Sequence, residues 1–398
     1  MSQNRNFQHL LLSAVALFGA ECLASAGVVE ERPSLGLTAH SSTVLSGYLD
    51  VSGHWNPGSG NANPAPYSFN AGKQDGFNLN AIDLSLEKPL DEARWSAGYK
   101  VELFLGPDAA FVNGSPSSPV RQAFVALRVP IGNGLEIDAG RFDDLSGYEA
   151  TDKWKNPNYT HSYAWSIEPT EHTGIVGNYS FNDLISLKLG VANTWTTGPI
   201  NERALRGSTL STARPDESKK TIVSLLSFAA PTNGSWLGGS SFFVSVNNGY
   251  GSITEDETYI SLGTTLNTPL PAVKVGASWD YSTDFGVGGL NTGPASAIDL
   301  YLLFHVTGKL GLNFRGEYAR ADGLGALSAA YNGAATPLHK VCALTATVRY
   351  DIWKNVLSRL EARWDHATDG TESFGGTILG SPARKNEITL ATEFTFRF

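Results

Sequence analysis

The chain ends in an amphipathic strand that runs to its own last residue. Over residues 386–398, apolar Ile388, Leu390, Phe394, Phe396 and Phe398 alternate with Glu387, Thr389, Glu393, Thr395 and Arg397, and only Thr392 interrupts the apolar side. A period of two sets one face against an apolar phase and the other against water or polar groups. A bare, aromatic-rich edge strand is an aggregation hazard for a soluble domain. A closed barrel removes that hazard by pairing the last strand with the first. The ending therefore points to a barrel embedded in a membrane.

The other end agrees. Arg5 precedes an apolar run over residues 10–18, and Ala24-Ser25-Ala26 supplies a small-residue cleavage site. This pattern predicts a secretory signal peptide over residues 1–26, removed on export, with Gly27 as the first mature residue. A membrane anchor is disfavoured because the run is short and Glu21 interrupts it. Beyond the leader, no apolar run approaches the roughly 20 residues of a membrane helix. The two cysteines are Cys22, within the leader, and Cys342, so the mature chain has no intrachain disulfide. The net charge of −9 gives no reason to expect nucleic acid as a partner.

Period-two stretches recur along the whole chain. Val273, Val275, Ala277, Trp279 and Tyr281 face one way, and Lys274, Gly276, Ser278 and Asp280 the other. Ile185, Leu187, Leu189, Val191 and Trp195 form a similar apolar side, as do Tyr99, Val101, Leu103 and Leu105. The predicted strands are 44–55, 77–88, 95–105, 120–129, 135–142, 172–180, 185–195, 220–230, 240–248, 257–267, 273–282, 296–306, 309–320, 340–350, 356–366 and 386–398. Segments 120–129, 172–180 and 220–230 alternate poorly. This is an all-β, antiparallel transmembrane barrel of about 16 strands, with 14 or 18 as the neighbouring counts.

The connections carry a second signal. Long ones (54–76, 106–119, 143–171, 196–219, 249–256, 283–295, 321–339, 367–385) alternate with short ones, such as Pro-Ile-Gly-Asn-Gly at 130–134 and Thr307-Gly308. Outer-membrane barrels have short periplasmic turns and long extracellular loops. The alternation puts both termini on the periplasmic side, with residues 27–43 as a short periplasmic segment and 44–398 as the barrel. A soluble sandwich, jelly roll or β-helix also has short alternating strands, but does not call for aromatics at strand ends. Here Trp55, Trp95, Tyr99, Trp195, Trp279, Tyr281, Tyr318, Tyr350, Trp353 and Trp364 cluster there, as residues at a membrane interface do.

If the apolar faces meet lipid, the alternate residues line the lumen. Candidate pore-lining groups are Asp50, Asp83, Glu102, Glu136 and Asp138 from the early strands and Arg315, Arg349, Arg359 and Arg363 from the late ones. An acidic wall partly facing a basic one predicts a transverse field across a water-filled pore. Tyr48, Phe104 and Tyr301 are scattered lumenal aromatics. Loop 143–171 is the longest connection and carries Asp143, Asp144, Glu149, Lys153, Lys155 and Glu168 as constriction candidates. Long loops are usually functional. This one is expected to fold into the barrel and narrow it, with a surface position as the alternative. Asp143, Asp144 and Glu149 lack the glycine spacing of a calcium loop, so no metal is expected.

The run Gly140-Arg141-Phe142 leads into Gly147-Tyr148-Glu149. Ser162-Tyr163 then leads into Glu168-Pro169 and His172-Thr173-Gly174. In these motifs the chain resembles the beta-barrel porin-2 (OmpL-like) family of Gram-negative outer-membrane proteins. The resemblance implies a porin-like channel and no particular substrate.

There is no nucleophile elbow, Walker loop, GxGxxG or HExxH, and His54, His305 and His366 are expected on polar faces, so no enzyme and no cofactor are expected. The reading is an outer-membrane porin for passive diffusion of small hydrophilic solutes or ions. A substrate-specific channel and a plugged structural or adhesive barrel are the alternatives. The expected partners are outer-membrane lipid, the barrel-assembly machinery through terminal Phe398, and two further copies in a homotrimer.

Overall fold

Alternation along the chain resolves into sixteen long strands. They are β1 (Val44–Trp55), β2 (Gly76–Lys88), β3 (Ser96–Leu105), β4 (Val120–Val129), β5 (Leu135–Asp143), β6 (Glu171–Asn182), β7 (Ile185–Ala192) and β8 (Thr221–Ala229). They continue with β9 (Ser241–Tyr250), β10 (Asp256–Asn267), β11 (Val273–Phe285), β12 (Thr292–His305), β13 (Leu310–Gly323), β14 (Lys340–Trp353), β15 (Val356–Ala367) and β16 (Asn386–Arg397). The computed structural model describes residues 43–57, 76–113, 118–195, 200–206, 214–232, 234–250, 256–285, 292–323, 327, 338–375 and 383–398. The predicted leader 1–26 and nearly all of the segment 27–43 lie outside the described residues.

Each strand pairs antiparallel with the next, and β16 returns to β1, closing the barrel. At the seam Tyr48 stands opposite Arg397 and Trp55 opposite Leu390. The Gly47 N–H donates to the Phe398 carbonyl at 3.1 Å, and the Phe398 N–H donates to the Gly47 carbonyl at 3.0 Å. A methyl on Gly47 would lie 2.1 Å from the Asp83 carbonyl oxygen and 3.0 Å from the Phe398 ring. Gly47→Val is therefore expected to open the seam and lose the compact, heat-modifiable band of the folded barrel in cold gel electrophoresis.

The two faces separate as a membrane demands. Leu49, Ile175, Leu189, Ile298, Leu300, Phe314, Leu344, Leu360 and Phe394 point outward and are exposed. Their strand neighbours Asp50, Asp299, Arg315, Thr345, Glu361 and Glu393 point inward and are buried. A charge on the lipid side of such a barrel costs about 2–4 kcal/mol at the bilayer midplane. Leu360→Arg should lower folding stability in vesicles by that order, measured by denaturant titration.

Strand ends differ from the sequence reading in three places. β7 stops at Ala192, and Trp195, expected on the lipid side, turns inward to 7% exposure and packs edge-on against Tyr259. β9 to β12 extend further outward than alternation alone indicated, because Asn248 to Tyr250 continue the ladder with residues 256–258. The connections there shrink to 251–255 and 286–291. His366, expected on a polar face, points outward, stacked on Trp364 and bonded to Asn386 at 2.8 Å.

The bore itself holds the packed core. Tyr48, Phe104, Val112 and Trp165 form one buried cluster. Phe142, Tyr148, Val223, Phe243 and Tyr301 belong to a second. The short helix α1 (Ala109–Val112), in the connection after β3, supplies part of the first.

Candidate functional site

Loop 143–171 leaves the end of β5 and enters the lumen. At one wall, the Asn247 amide of β9 donates to Asp144 at 2.8 Å and to Ser146 at 3.2 Å. The Tyr148 hydroxyl meets Thr265 of β10 at 2.9 Å, and its ring stacks on Tyr301 at 4.5 Å. At the other wall, the Tyr159 hydroxyl donates to Ser52 of β1 at 3.0 Å and lies 2.8 Å from His54. β1 and β9 are eight strands apart in a ring of sixteen, so they stand diametrically opposite. One loop is thus hydrogen-bonded to both sides of the bore.

Three arginines hold the loop in place. Arg315 donates to the carbonyls of Thr160 (2.7 Å) and His161 (3.1 Å) and pairs with Glu149 (2.6 Å) and Glu317 (2.7 Å). Arg359 donates to the carbonyls of Lys153, Asn156 and Asn158 and pairs with Glu393. Arg363 donates to the His161 carbonyl at 3.0 Å and pairs with Glu317 and Asp365. Glu361 completes the cradle by accepting from the Tyr159 and Thr160 amides at 2.6 and 3.0 Å.

This geometry corrects the expected basic wall. Arg315, Arg359 and Arg363 are each 1% exposed, and their guanidiniums face loop carbonyls and partner carboxylates, not an open water column. Asp50, Asp83 and Glu102 are likewise buried at 2–5%. Glu136, Asp138 and Arg349 remain partly exposed on the inner face toward the periplasmic end. Arg349 lies 3.4 Å from Asp351.

A second cluster joins loop to wall on the acidic side. Oxygens of Asp83, Glu102 and Asp152 lie within 4.8 Å of one another. The Arg121 guanidinium contacts Glu102 (2.8 Å), Asp143 (2.6 Å) and Asp152 (2.5 Å), with Lys100 on Glu102 and Lys155 on Asp152. Arg121 is thus the cation that Glu102, Asp143 and Asp152 share. Lys153 reaches Asp108 at 3.0 Å, and Asp144 accepts from His172 at 2.7 Å. Glu168 folds back over Gly147, whose φ of 92° suits glycine and where a Cβ would lie 2.0 Å from the carboxylate.

The loop groups titrate as their surroundings dictate. Burial alone would raise Glu149, but Arg315 and His161 outweigh it and hold the carboxyl at about 2. Its contribution to docking is complete above the ordinary carboxylate range and is lost as pH falls through about 2. Burial pushes the His161 imidazole down to about 4, so docking favours the neutral ring. That contribution is complete above the ordinary histidine value and is lost as pH falls toward about 4, at most about 3 kcal/mol. Burial pushes Glu168 up, so its titration has the opposite sign and strengthens docking as pH falls. His161→Gln isolates the histidine component. Wild-type and variant conductances are expected to coincide at pH 7.5 and to separate between about pH 6.5 and 4, with wild type opening more.

Arg121 and Arg141 are buried functional-site cations outside the expected set. Arg121 is the extra residue where the β3–β4 register shifts, between Gln122 opposite Glu102 and Val120 opposite Leu103. Arg141 donates to the Asn113 carbonyl at 3.1 Å and pairs with Glu171 at 3.3 Å, joining the connection after β3 to the base of the loop. Poor alternation over 120–129 was the trace such a bulge leaves in sequence.

A closed sixteen-stranded barrel with an apolar outer belt, a polar inner face and an infolded loop defines an outer-membrane porin. More particularly, the chain belongs to the family described as Putative beta-barrel porin-2, OmpL-like, which matches residues 42–398. Among solved structures it is similar to an anion-selective porin from Comamonas acidovorans, at 13% identity over 89% of this chain and 99% of that one, with a TM-score of 0.59. It is also similar to Salmonella typhi OmpF in complex with daunomycin (12% identity, 89% and 97% coverage, TM-score 0.59). The outer membrane channel DcaP of Acinetobacter baumannii is a third (13%, 89% and 97%, TM-score 0.53). Identities this low carry the fold alone. No curated protein matches the sequence.

Proposed function

We propose that this porin is a restricted diffusion channel in which loop 143–171 sets the passage for small hydrophilic solutes or ions. One observation carries the reading: the same loop bonds to Ser52 on β1 and to Asn247 on β9, across the full width of the bore. A sixteen-stranded barrel without such a loop leaves a wide aqueous channel. With the loop docked, solutes pass only beside it, and partly exposed Glu136, Asp138, Lys188, Lys274 and Arg349 meet them on the periplasmic side. Selectivity then arises from this mixed-sign vestibule and not from the clamped arginines.

The burial of inner-face groups around the ring also favours a second reading, in which the barrel is plugged and its loops bind a partner. Planar-bilayer recording separates the two. Small, steady, ohmic steps support restricted diffusion; no current from folded, inserted protein supports the plug.

Residues 1–26 act as a removed leader. Phe398, already seated in the closing seam, serves the barrel-assembly machinery. The apolar outer belt is compatible with a homotrimer, for which one similar structure, a trimer form of Vibrio cholerae OmpT, offers a fold-level precedent.

A further inference from the structure

Arg320 and Lys340 stand directly opposite each other across the β13–β14 ladder, near its extracellular end. Both are exposed and lie on the outward face that carries Tyr318 and Leu344. Like charges in directly opposed positions repel. Neither side chain makes an ion pair among the described residues; the acids beside them are Asp322, exposed two positions further out on the same strand face, and Asp369, whose carboxylate accepts from the Lys340 backbone N–H at 3.0 Å. A self-repelling cationic pair on an outer surface is relieved by an anion held between its members.

The surface beneath the pair is shaped for hydrocarbon. One step inward, Tyr318, Cys342, His366 and Asn386 form a single row across β13 to β16. Below that row lies an outward groove of about 620 Å³. Its floor is made of the small residues Gly316, Ala346 and Ala362, and Ala346 stands opposite Ala362 in register. Leu300, Phe314 and Trp364 stand along its sides. Leu344, at the groove's edge, is four residues inward from Lys340, about 14 Å along the strand. Arg384 and Lys385, both exposed, precede β16 at the same rim and add to its positive charge.

The vertical order is thus cations, an amphipathic row, then an apolar groove, running from the extracellular rim toward the midplane. We propose that this face binds a phosphorylated, multiply acylated glycolipid of the outer leaflet, with a phosphate between Arg320 and Lys340 and an acyl chain along Gly316, Ala346 and Ala362. Charge complementarity chooses the headgroup, and the depth of the groove below the charges chooses the chains.

The test uses the full-length folded protein in detergent, mixed with lipid A carrying both phosphates, with dephosphorylated lipid A, or with phosphatidylglycerol. Retained lipid is quantified by mass spectrometry after size exclusion. Wild type is expected to retain the phosphorylated lipid A at least tenfold better than either comparator. R320Q/K340Q should abolish that preference while keeping the heat-modifiable band of a folded barrel, since it removes a repulsion. Ala346→Phe should reduce retention of both lipid A forms by filling the groove. Equal retention of phosphorylated and dephosphorylated lipid A by wild type would overturn the proposal. So would an undiminished preference in R320Q/K340Q, or phosphatidylglycerol retained as well as lipid A.

Discussion

Replacing residues 149–168 with a short glycine–serine linker should raise single-channel conductance severalfold. The excised segment contains Tyr159, whose hydroxyl reaches Ser52, and the stretch whose carbonyls Arg315, Arg359 and Arg363 hold. It leaves Asp144 and Ser146 on Asn247, so one wall contact stays while the bridge across the bore is lost. The barrel ladder does not depend on the loop, because all sixteen strand pairings are backbone to backbone. The buried inner carboxylates Glu317, Glu361, Asp365 and Glu393 then face water beside Arg315, Arg359 and Arg363, four acids against three cations, so the enlarged pore should become only slightly more cation-selective. Reversal potential in a salt gradient measures the second effect alongside the first.

The second large effect comes from R315Q/R359Q/R363Q. A basic wall facing water would predict a move toward cation selectivity and little else. The observed contacts predict loosening instead. Each guanidinium joins a wall carboxylate to loop carbonyls, and removing one partner of a buried pair typically costs about 3–5 kcal/mol. Each substitution strands a buried acid: Glu149 and Glu317 at Arg315, Glu393 at Arg359, Glu317 and Asp365 at Arg363. The triple variant should show larger and strongly fluctuating currents as the loop leaves its cradle. It should also gain protease cleavage within residues 149–168, where wild type resists. Steady wild-type currents with only a shifted reversal potential would restore the open basic wall.

The barrel was legible in the sequence because its main constraint is local. A lipid-facing strand must alternate, and Ile185 to Val191, Val273 to Tyr281 and Leu310 to Tyr318 do so plainly. The three weak segments failed for physical reasons the structure supplies. In 220–230, Val223 and Leu225 point inward but stay apolar, because they belong to the buried cluster around Tyr148 of the loop. In 120–129, the extra residue at Arg121 breaks the period. In 172–180, glycines at 174 and 177 leave no side chain to mark a face. At Gly174 a Cβ would lie 2.2 Å from the Val191 carbonyl oxygen.

The site was legible only as a list of charges. Sequence placed Arg315, Arg359 and Arg363 on the inner face but could not show what they touch. Their acceptors are backbone carbonyls some 150 to 200 residues earlier, at 153, 156, 158, 160 and 161. Backbone carbonyls are present at every residue and leave no mark in composition. The expected transverse field failed on this point. Charges placed by periodicity pair locally once a loop brings carboxylates and carbonyls among them, as Glu149 does at Arg315.

The most direct test of a loop that crosses the bore in the working channel is a tether. The Asn158 amide donates to Thr347 on β14 at 2.7 Å, so N158C/T347C should form a disulfide that holds the loop where it already lies. Replacing outward-facing Cys342 by serine leaves these as the reactive pair. Single-channel conductance is recorded under oxidising conditions and again after reduction. Efficient cross-linking of the folded barrel is expected, with the same conductance before and after reduction. A tethered channel that conducts less than the reduced one would contradict this, since the conducting barrel would then carry its loop elsewhere.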